Sequence, residues 1–209
     1  MRPSTGLALV GAGAAVAVGI AVLTDSPMVD FDKHVAWHYW PITSTTTTDF
    51  AWFLQHIGKP WIACLVIGTL AALESLRTRR IGPAAGAIVA LGCVGFSTLF
   101  LKQVFPRPSV VLQLPGSFPS GHTGVAVVVA GLLVLLLAPA RPWRDGLALA
   151  IGMTWGAVMA WGRLVIEAHW LSDVIAGWGI GVVALVLAIR TADSPLGRRG
   201  LPRLIPGGK

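Results

Sequence analysis

The side chains best placed to do chemistry fall in three short stretches. In GRLVIEAHWLSDVIAG, residues 162–177, His169 and Asp173 stand four apart. On a helix this spacing puts both on one face, a single turn from each other. The carboxylate then accepts a hydrogen bond from one ring nitrogen, fixes the tautomer, and leaves the other nitrogen's lone pair outward as a nucleophile. The same spacing also suits Asp173 as a helix cap beside an interfacial His169, and the pair alone does not choose. In SFPSGHTG, residues 117–124, a Pro-Ser-Gly turn stands before Val125–Ala138, a run without one polar side chain. A helix starting at this turn offers free backbone N–H groups at its positive end, including that of Gly121, as a cradle for phosphate or another anion. Ser120 adds a hydroxyl, and His122 in the first turn can protonate a departing oxygen; an ordinary turn with an interfacial histidine is the plainer alternative. LKQVFPRP, residues 101–108, supplies Lys102 and Arg107, and Arg163 stands six residues before His169. Each cation alone reads as a snorkelling side chain. Converging with a helix N-terminus, they would neutralise a phosphoryl group and its developing charge.

These stretches sit in a chain made for hydrocarbon. Of 209 residues, 55% are hydrophobic and only 12% charged, and the mean hydropathy is +0.74. Soluble domains carry nearer one quarter charged residues. Apolar runs near the length that crosses about 30 Å of hydrocarbon lie at about 6–24, 59–76, 83–104, 121–138, 146–163 and 172–190. The expected fold class is therefore an all-α integral membrane protein of six spans in one domain, residues 1–209, with its site at the outer ends of the later helices. The first run is longer than a usual signal core and AVLTDS is a poor cleavage site, so it is expected to be a retained helix. Cys64 and Cys93 lie inside apolar runs and read as small buried or lipid-facing residues rather than a disulfide or metal pair.

The net charge of +7 is distributed as topology, not as a nucleic-acid surface. Eleven basic residues (Arg2, Arg77, Arg79, Arg80, Arg141, Arg144, Arg190, Arg198, Arg199, Arg203, Lys209) fall on one side of the expected spans, and five (Lys33, Lys59, Lys102, Arg107, Arg163) on the other. The basic side is cytoplasmic by the positive-inside rule. Both termini and a basic tail, 191–209, are thus expected inside a plasma membrane, with the site facing outward. Ionisable residues at such boundaries mark function by default. His34, His38 and His56 stand among Trp37, Tyr39, Trp40, Trp52 and Trp61, an aromatic interface belt with interfacial helices. Thr43–Thr48 are expected to supply a helix cap. Gly177 and Gly181 suit close helix packing or a homodimer contact.

The ordered set Lys-x4-Arg-Pro, Pro-Ser-Gly-His and Arg-x5-His-x3-Asp resembles the type 2 phosphatidic acid phosphatase family, which includes lipid phosphate phosphatases and shares its site with vanadium haloperoxidases. The resemblance runs from Lys102 to Gly177 at the level of motifs. It implies His169 as nucleophile oriented by Asp173, His122 as the acid for the leaving group, and Lys102, Arg163, Ser120 and the Gly121 backbone as phosphate holders. The family's first motif is usually Lys-x6-Arg-Pro, which would put the arginine at Ser109; Arg107 falls two residues early and is expected to take over that phosphate contact. Glu167 either pairs with Arg163 or helps to choose a head group, and the sequence leaves both open.

The resemblance implies a metal-independent lipid phosphatase working through a phosphohistidine, with a polyprenyl diphosphate of cell-envelope synthesis as the leading substrate. Phosphatidylglycerophosphate, phosphatidic acid and a polyprenyl-phosphate sugar phosphate are alternatives. From other classes, a non-catalytic lipid-binding protein and a lipid phosphotransferase remain. No carboxylate or histidine cluster resembles a divalent-metal site, so no metal and no cofactor is expected.

Overall fold

The apolar runs become helices whose ends are set by proline, by hydroxyl caps and by left-handed residues. The computed structural model describes residues 3–24, 27–39, 44–111, 115–138 and 141–201. Arg2, Trp40, Thr43, Arg203 and Lys209, with the side chains of His38 and Tyr39, lie outside the described residues. In chain order the helices are α1 (Pro3–Leu23), α2 (Pro27–Tyr39), α3 (Thr45–Ile57), α4 (Pro60–Thr78), α5 (Gly82–Val104), α6 (Gly121–Leu137), α7 (Arg144–Val165) and α8 (Leu171–Asp193). Pro60 opens α4 and Pro83 lies in the opening turn of α5, where a missing N–H costs nothing. Ser44, within the expected hydroxyl run, caps α3 by accepting from the Thr47 N–H at 3.2 Å. Arg79, at φ 56°, ends α4 in the left-handed region.

Five described helices are long and apolar enough to cross a membrane: α1 (from Thr5), α4, α5, α7 and α8. The expected count of six is therefore not exact. The sixth run is α6, whose 17 residues rise about 25 Å, short of the roughly 30 Å of hydrocarbon. A physical reason is its position: α6 packs on α4, α5, α7 and α8, so protein rather than lipid covers it. Its first turn, Gly121-His122-Thr123, also belongs to the polar turn and not to the apolar run. The aromatic stretch between the first two spans forms α2 and α3, both too short to span.

At the centre stands α8, with 78% of its apolar window buried against 17–22% for α1, α4 and α5. It contacts α1, α2, α5, α6 and α7. Without a hydrophobic drive between helices in lipid, close van der Waals approach does this work. Small residues permit it: a Cβ on Gly11 would lie 2.8 Å from the Gly179 carbonyl oxygen, and one on Gly181 would lie 2.7 Å from that of Gly124. Gly177 and Gly181 thus face the start of α6 within the same chain.

Candidate active site

One end of the bundle collects the last turn of α5, the first turn of α6, the last turn of α7 and the first turn of α8. The Pro-Ser-Gly turn is clamped to α8 through its backbone. The Ser120 N–H donates to the Asp173 carbonyl at 2.9 Å, and a Cβ on Gly177 would come within 2.2 Å of the Ser120 carbonyl oxygen. Glycine at 177 is therefore a condition for the turn to sit where it does. The first intrahelical bond of α6 runs from the Gly124 N–H to the Ser120 carbonyl, so the N–H groups of Gly121, His122 and Thr123 precede the helix's own bonding and point out of its end. Ser120 is fully buried, and its hydroxyl accepts from Thr123 Oγ1 at 3.0 Å.

His169 is not on a helix. It lies in the short connection between α7 and α8, two residues before Leu171. Glu167 makes this connection turn: its φ of 54° is left-handed, and the Glu167 and Ala168 N–H groups donate back to Leu164 and Arg163 carbonyls at 2.9 and 3.1 Å. The result brings His169 Nδ1 to 3.4 Å from Asp173 Oδ2. Asp173 Oδ2 also accepts from the Trp170 N–H at 3.0 Å, so the cap and the histidine partner are one carboxylate performing both tasks. His169 is buried, and burial pushes its imidazole below the ordinary value; the charges of Arg163 and Lys102 act in the same direction and Asp173 acts against them. A neutral ring held by a carboxylate is the state a nitrogen nucleophile needs.

Lys102, His122, Arg163 and His169 are close enough to act on one another electrostatically. Lys102 Nζ donates to the Gly116 carbonyl. Arg163, 8% exposed, donates through Nη1 to Gln55 Oε1 of α3, and its Nε is buried with no hydrogen-bond partner. A buried guanidinium N–H without an acceptor is costly and calls for an explanation; a phosphate oxygen would satisfy it. Glu167 does not take this role, because the hydrogen-bonded neighbour of Arg163 is Gln55.

Arg107 departs from the expectation that it replaces the missing motif arginine on phosphate. Its Nη1 donates to Asp173 Oδ1 at 3.0 Å and to Ser172 Oγ, its Nη2 donates to Asp32 Oδ2 at 2.7 Å, and its plane lies 5.1 Å over the Trp170 ring. With Asp32 and Asp173 both buried, the guanidinium is occupied by carboxylates. Sequence reasoning misses three residues here: Asp32, Ser172 and Gln55. Gln55 carries a signal, being the polar residue one turn after buried Ala51 on α3. Asp32 carries none that separates it from exposed Asp30 two residues earlier.

Comparison with known proteins identifies the family and the fold. The chain is 28% identical over 138 residues to an undecaprenyl-diphosphatase of Sulfolobus acidocaldarius, covering 62% of this chain and 63% of that one. It is 38% identical over 78 residues to a non-specific acid phosphatase of Salmonella typhi, covering 37% of this chain and 28% of that one. The match therefore spans less than two thirds of these relatives' lengths. In fold, it is similar to the crystal structure of a transmembrane PAP2 type phosphatidylglycerolphosphate phosphatase from Bacillus subtilis, with a TM-score of 0.70 at 18% identity, covering 90% of this chain and 95% of that one. The signature of the PAP2 superfamily matches residues 35–194, most of the chain and all three motif stretches, and the chain belongs to that superfamily.

Proposed function

We propose that this protein is a membrane lipid phosphatase that hydrolyses a phosphate ester or diphosphate through a phosphohistidine. The observation that carries this reading is a buried His169 facing Asp173 with, in electrostatic reach, a buried Arg163 whose Nε has no partner. His169 Nε2 forms a bond to phosphorus in line with the leaving oxygen. The phosphorus–oxygen bond breaks with its electron pair on that oxygen. His122, which burial and the nearby cations hold neutral before substrate binds, with its pKa lowered to about 3, takes up a proton with the anionic substrate and passes it to that oxygen. Asp173 stabilises the imidazolium that results. Arg163, Lys102, Ser120 and the first N–H groups of α6 bind the three equatorial oxygens. Water, deprotonated by His122, then attacks phosphorus, and the phosphorus–nitrogen bond breaks to release phosphate and restore neutral His169.

A lipid substrate is supported by a cavity of about 390 Å³ between α1, α5 and α8, lined by Ala12, Val16, Gly19, Leu101, Phe105 and Phe118 among others. Phe118 stands two residues before Ser120, so this apolar space runs up to the turn that cradles phosphate. Among lipids, a polyprenyl diphosphate is the leading substrate, supported by the relative named as an undecaprenyl-diphosphatase. The site faces outward from a plasma membrane, because the arginine-rich ends of α4, α7 and α8 lie at the opposite end of the bundle.

The test is phosphate release by the purified protein in detergent with EDTA present, from a polyprenyl diphosphate, phosphatidylglycerophosphate and phosphatidic acid. The expected result is chelator-resistant release, greatest from the diphosphate; release only after magnesium is added would overturn the mechanism. Products analysed with and without an acceptor alcohol separate hydrolysis from phosphotransfer. For orientation, with Cys64 and Cys93 replaced, a cysteine at Pro115 should react with an impermeant maleimide in intact cells, and one at Arg198 only after lysis.

A further inference from the structure

Helix α2 is mostly an exposed surface helix, with Asp30 and Lys33 paired in solvent at 3.5 Å. Asp32, between them in sequence, differs from both of these charged neighbours: it is 1% exposed. Its Oδ1 accepts from the Ser172 N–H at 2.9 Å, and its Oδ2 accepts from Ser172 Oγ and from Arg107 Nη2 at 2.7 Å. Arg107 in turn holds Asp173 Oδ1. Two buried carboxylates thus share one guanidinium whose side chain is 10% exposed, a grouping that is expensive unless every partner is in place. Asp32 also precedes residues 35–194, the stretch that carries the superfamily signature.

We propose that Asp32 is a positioning residue of the catalytic centre: from α2 it anchors the Arg107 guanidinium, which keeps Asp173 turned with Oδ2 toward His169. Arg107 has a planar fork able to take both oxygens of one carboxylate. With Nη2 occupied by Asp32, it takes only Oδ1 of Asp173. Oδ2 remains for the Trp170 N–H and the His169 ring. Released from Asp32, the fork is free to engage Asp173 with both arms and so to compete with His169 for the carboxylate.

Asp32→Asn separates this role from simple capping of α8, because an amide oxygen still accepts from the Ser172 N–H while the charge that holds Arg107 is gone. The catalytic consequence rests on the phosphatase reading. With the lipid diphosphate, kcat is expected to fall about 10- to 100-fold, the scale for a partner one step removed from the reacting group, with KM held within about threefold. In an Arg107→Gln background, Asp32→Asn should cost less than about a further twofold, since both changes break one link. Asp32→Glu should retain most of kcat. A readout independent of substrate is the titration of His169 by NMR of histidine-labelled protein in detergent, assigned by the signal lost in His169→Ala. The groups facing that ring are Asp173 of α8, Lys102 of α5, Arg163 of α7 and His122 of α6. Removing one negative charge behind Asp173 should move the His169 titration to lower pH.

Unchanged titration with wild-type kcat in Asp32→Asn would overturn the proposal, as would full rescue by Asn of a defect seen in Asp32→Ala. If Asp32→Asn does not fold, Arg107→Gln breaks the same link from the other side; wild-type turnover by that variant is equally fatal. Should the wild type release no phosphate from any lipid, the phosphatase reading fails while the titration still decides the role of Asp32.

Discussion

The two ends of the helix bundle carry the same charged residue types and use them differently. At the end formed by the C-termini of α4 and α8 and the N-termini of α5 and α7, arginines pair with neighbours along the chain. Arg77 holds Glu74 three residues away with two bonds of 2.7 Å, and its side chain is 74% exposed. Arg144 meets adjacent Asp145 at 3.4 Å. Arg77, Arg80, Arg144 and Arg198 rim a cleft of about 480 Å³. At the other end, Arg107 joins Asp32 and Asp173, which lie 75 and 66 residues away, with side chains 10%, 0% and 0% exposed. Exposed local pairs contribute roughly 0–1 kcal/mol and tolerate loss. Buried pairs assembled from distant elements are strongly destabilised when one partner is removed. Solvation, not residue type, separates the two ends.

The comparison is tested most severely by matched alanine substitutions. His169→Ala should abolish phosphate release, a loss of at least about 10⁴-fold by analogy with removal of a nucleophile or its base. Arg77→Ala should leave turnover within about twofold of wild type. Both variants should remain inserted and monodisperse in detergent. Equal losses in both would show that the two ends are not functionally distinct.

Next in size is the effect of the arginine with the unpartnered Nε. Arg163→Ala should cut kcat/KM by about 10²- to 10³-fold, the scale of one preorganised donor. Gln55→Ala, which removes only the residue orienting it, should cost about tenfold. A larger loss for Gln55 than for Arg163 would mean that α3 contacts substrate itself.

The pH dependence is smaller in effect but fixes a sign. As the proposed nucleophile, His169 must be neutral to attack, and burial lowers its proton affinity in the folded protein. The neutral ring is therefore kept as pH falls through the ordinary imidazole value of about 6.5 and is lost only at the lower folded value. The acid limb of kcat/KM should lie below that ordinary value. In the same window the unfolded chain binds the proton and the folded chain does not, so this group's stability contribution declines as pH drops below about 6.5. An acid limb above 6.5 would contradict a buried nucleophile.

Much of the fold and site is legible in the sequence because the chemistry lies on contiguous motifs and the spans on unbroken apolar runs. Ser120, His122, Arg163, His169 and Asp173 come together, as the three stretches imply. What the sequence hides depends on contacts between distant parts of the chain. Gln55 and Asp32 reach the site from α3 and α2, elements that read only as an aromatic belt. Arg107 reads as a phosphate ligand because spacing shows its neighbourhood but not which carboxylate occupies it. The short α6 reads as a span because hydropathy does not reveal that four other helices enclose it.

The smallest effect is expected at Glu167, where the sequence leaves a choice between pairing with Arg163 and selecting a head group. The structure points to a backbone role: φ of 54° at the residue that ends α7 and turns the chain toward His169. A left-handed conformation costs a non-glycine residue about 1 kcal/mol or more. Glycine removes that cost but gains unfolded-state freedom worth roughly 0.5–1 kcal/mol. Glu167→Gly should therefore change stability by no more than about 0.5 kcal/mol in the stabilising direction, with Asn close behind. Val, β-branched and poorly suited to positive φ, should lose about 1–2 kcal/mol. Thermal unfolding in detergent checks the order Gly, Asn, Glu, Val. Turnover by Glu167→Gly should stay within about twofold of wild type on every lipid phosphate tested. A change in the ranking of those lipids, with unfolding temperature unaltered, would instead give the Glu167 carboxylate the head-group role.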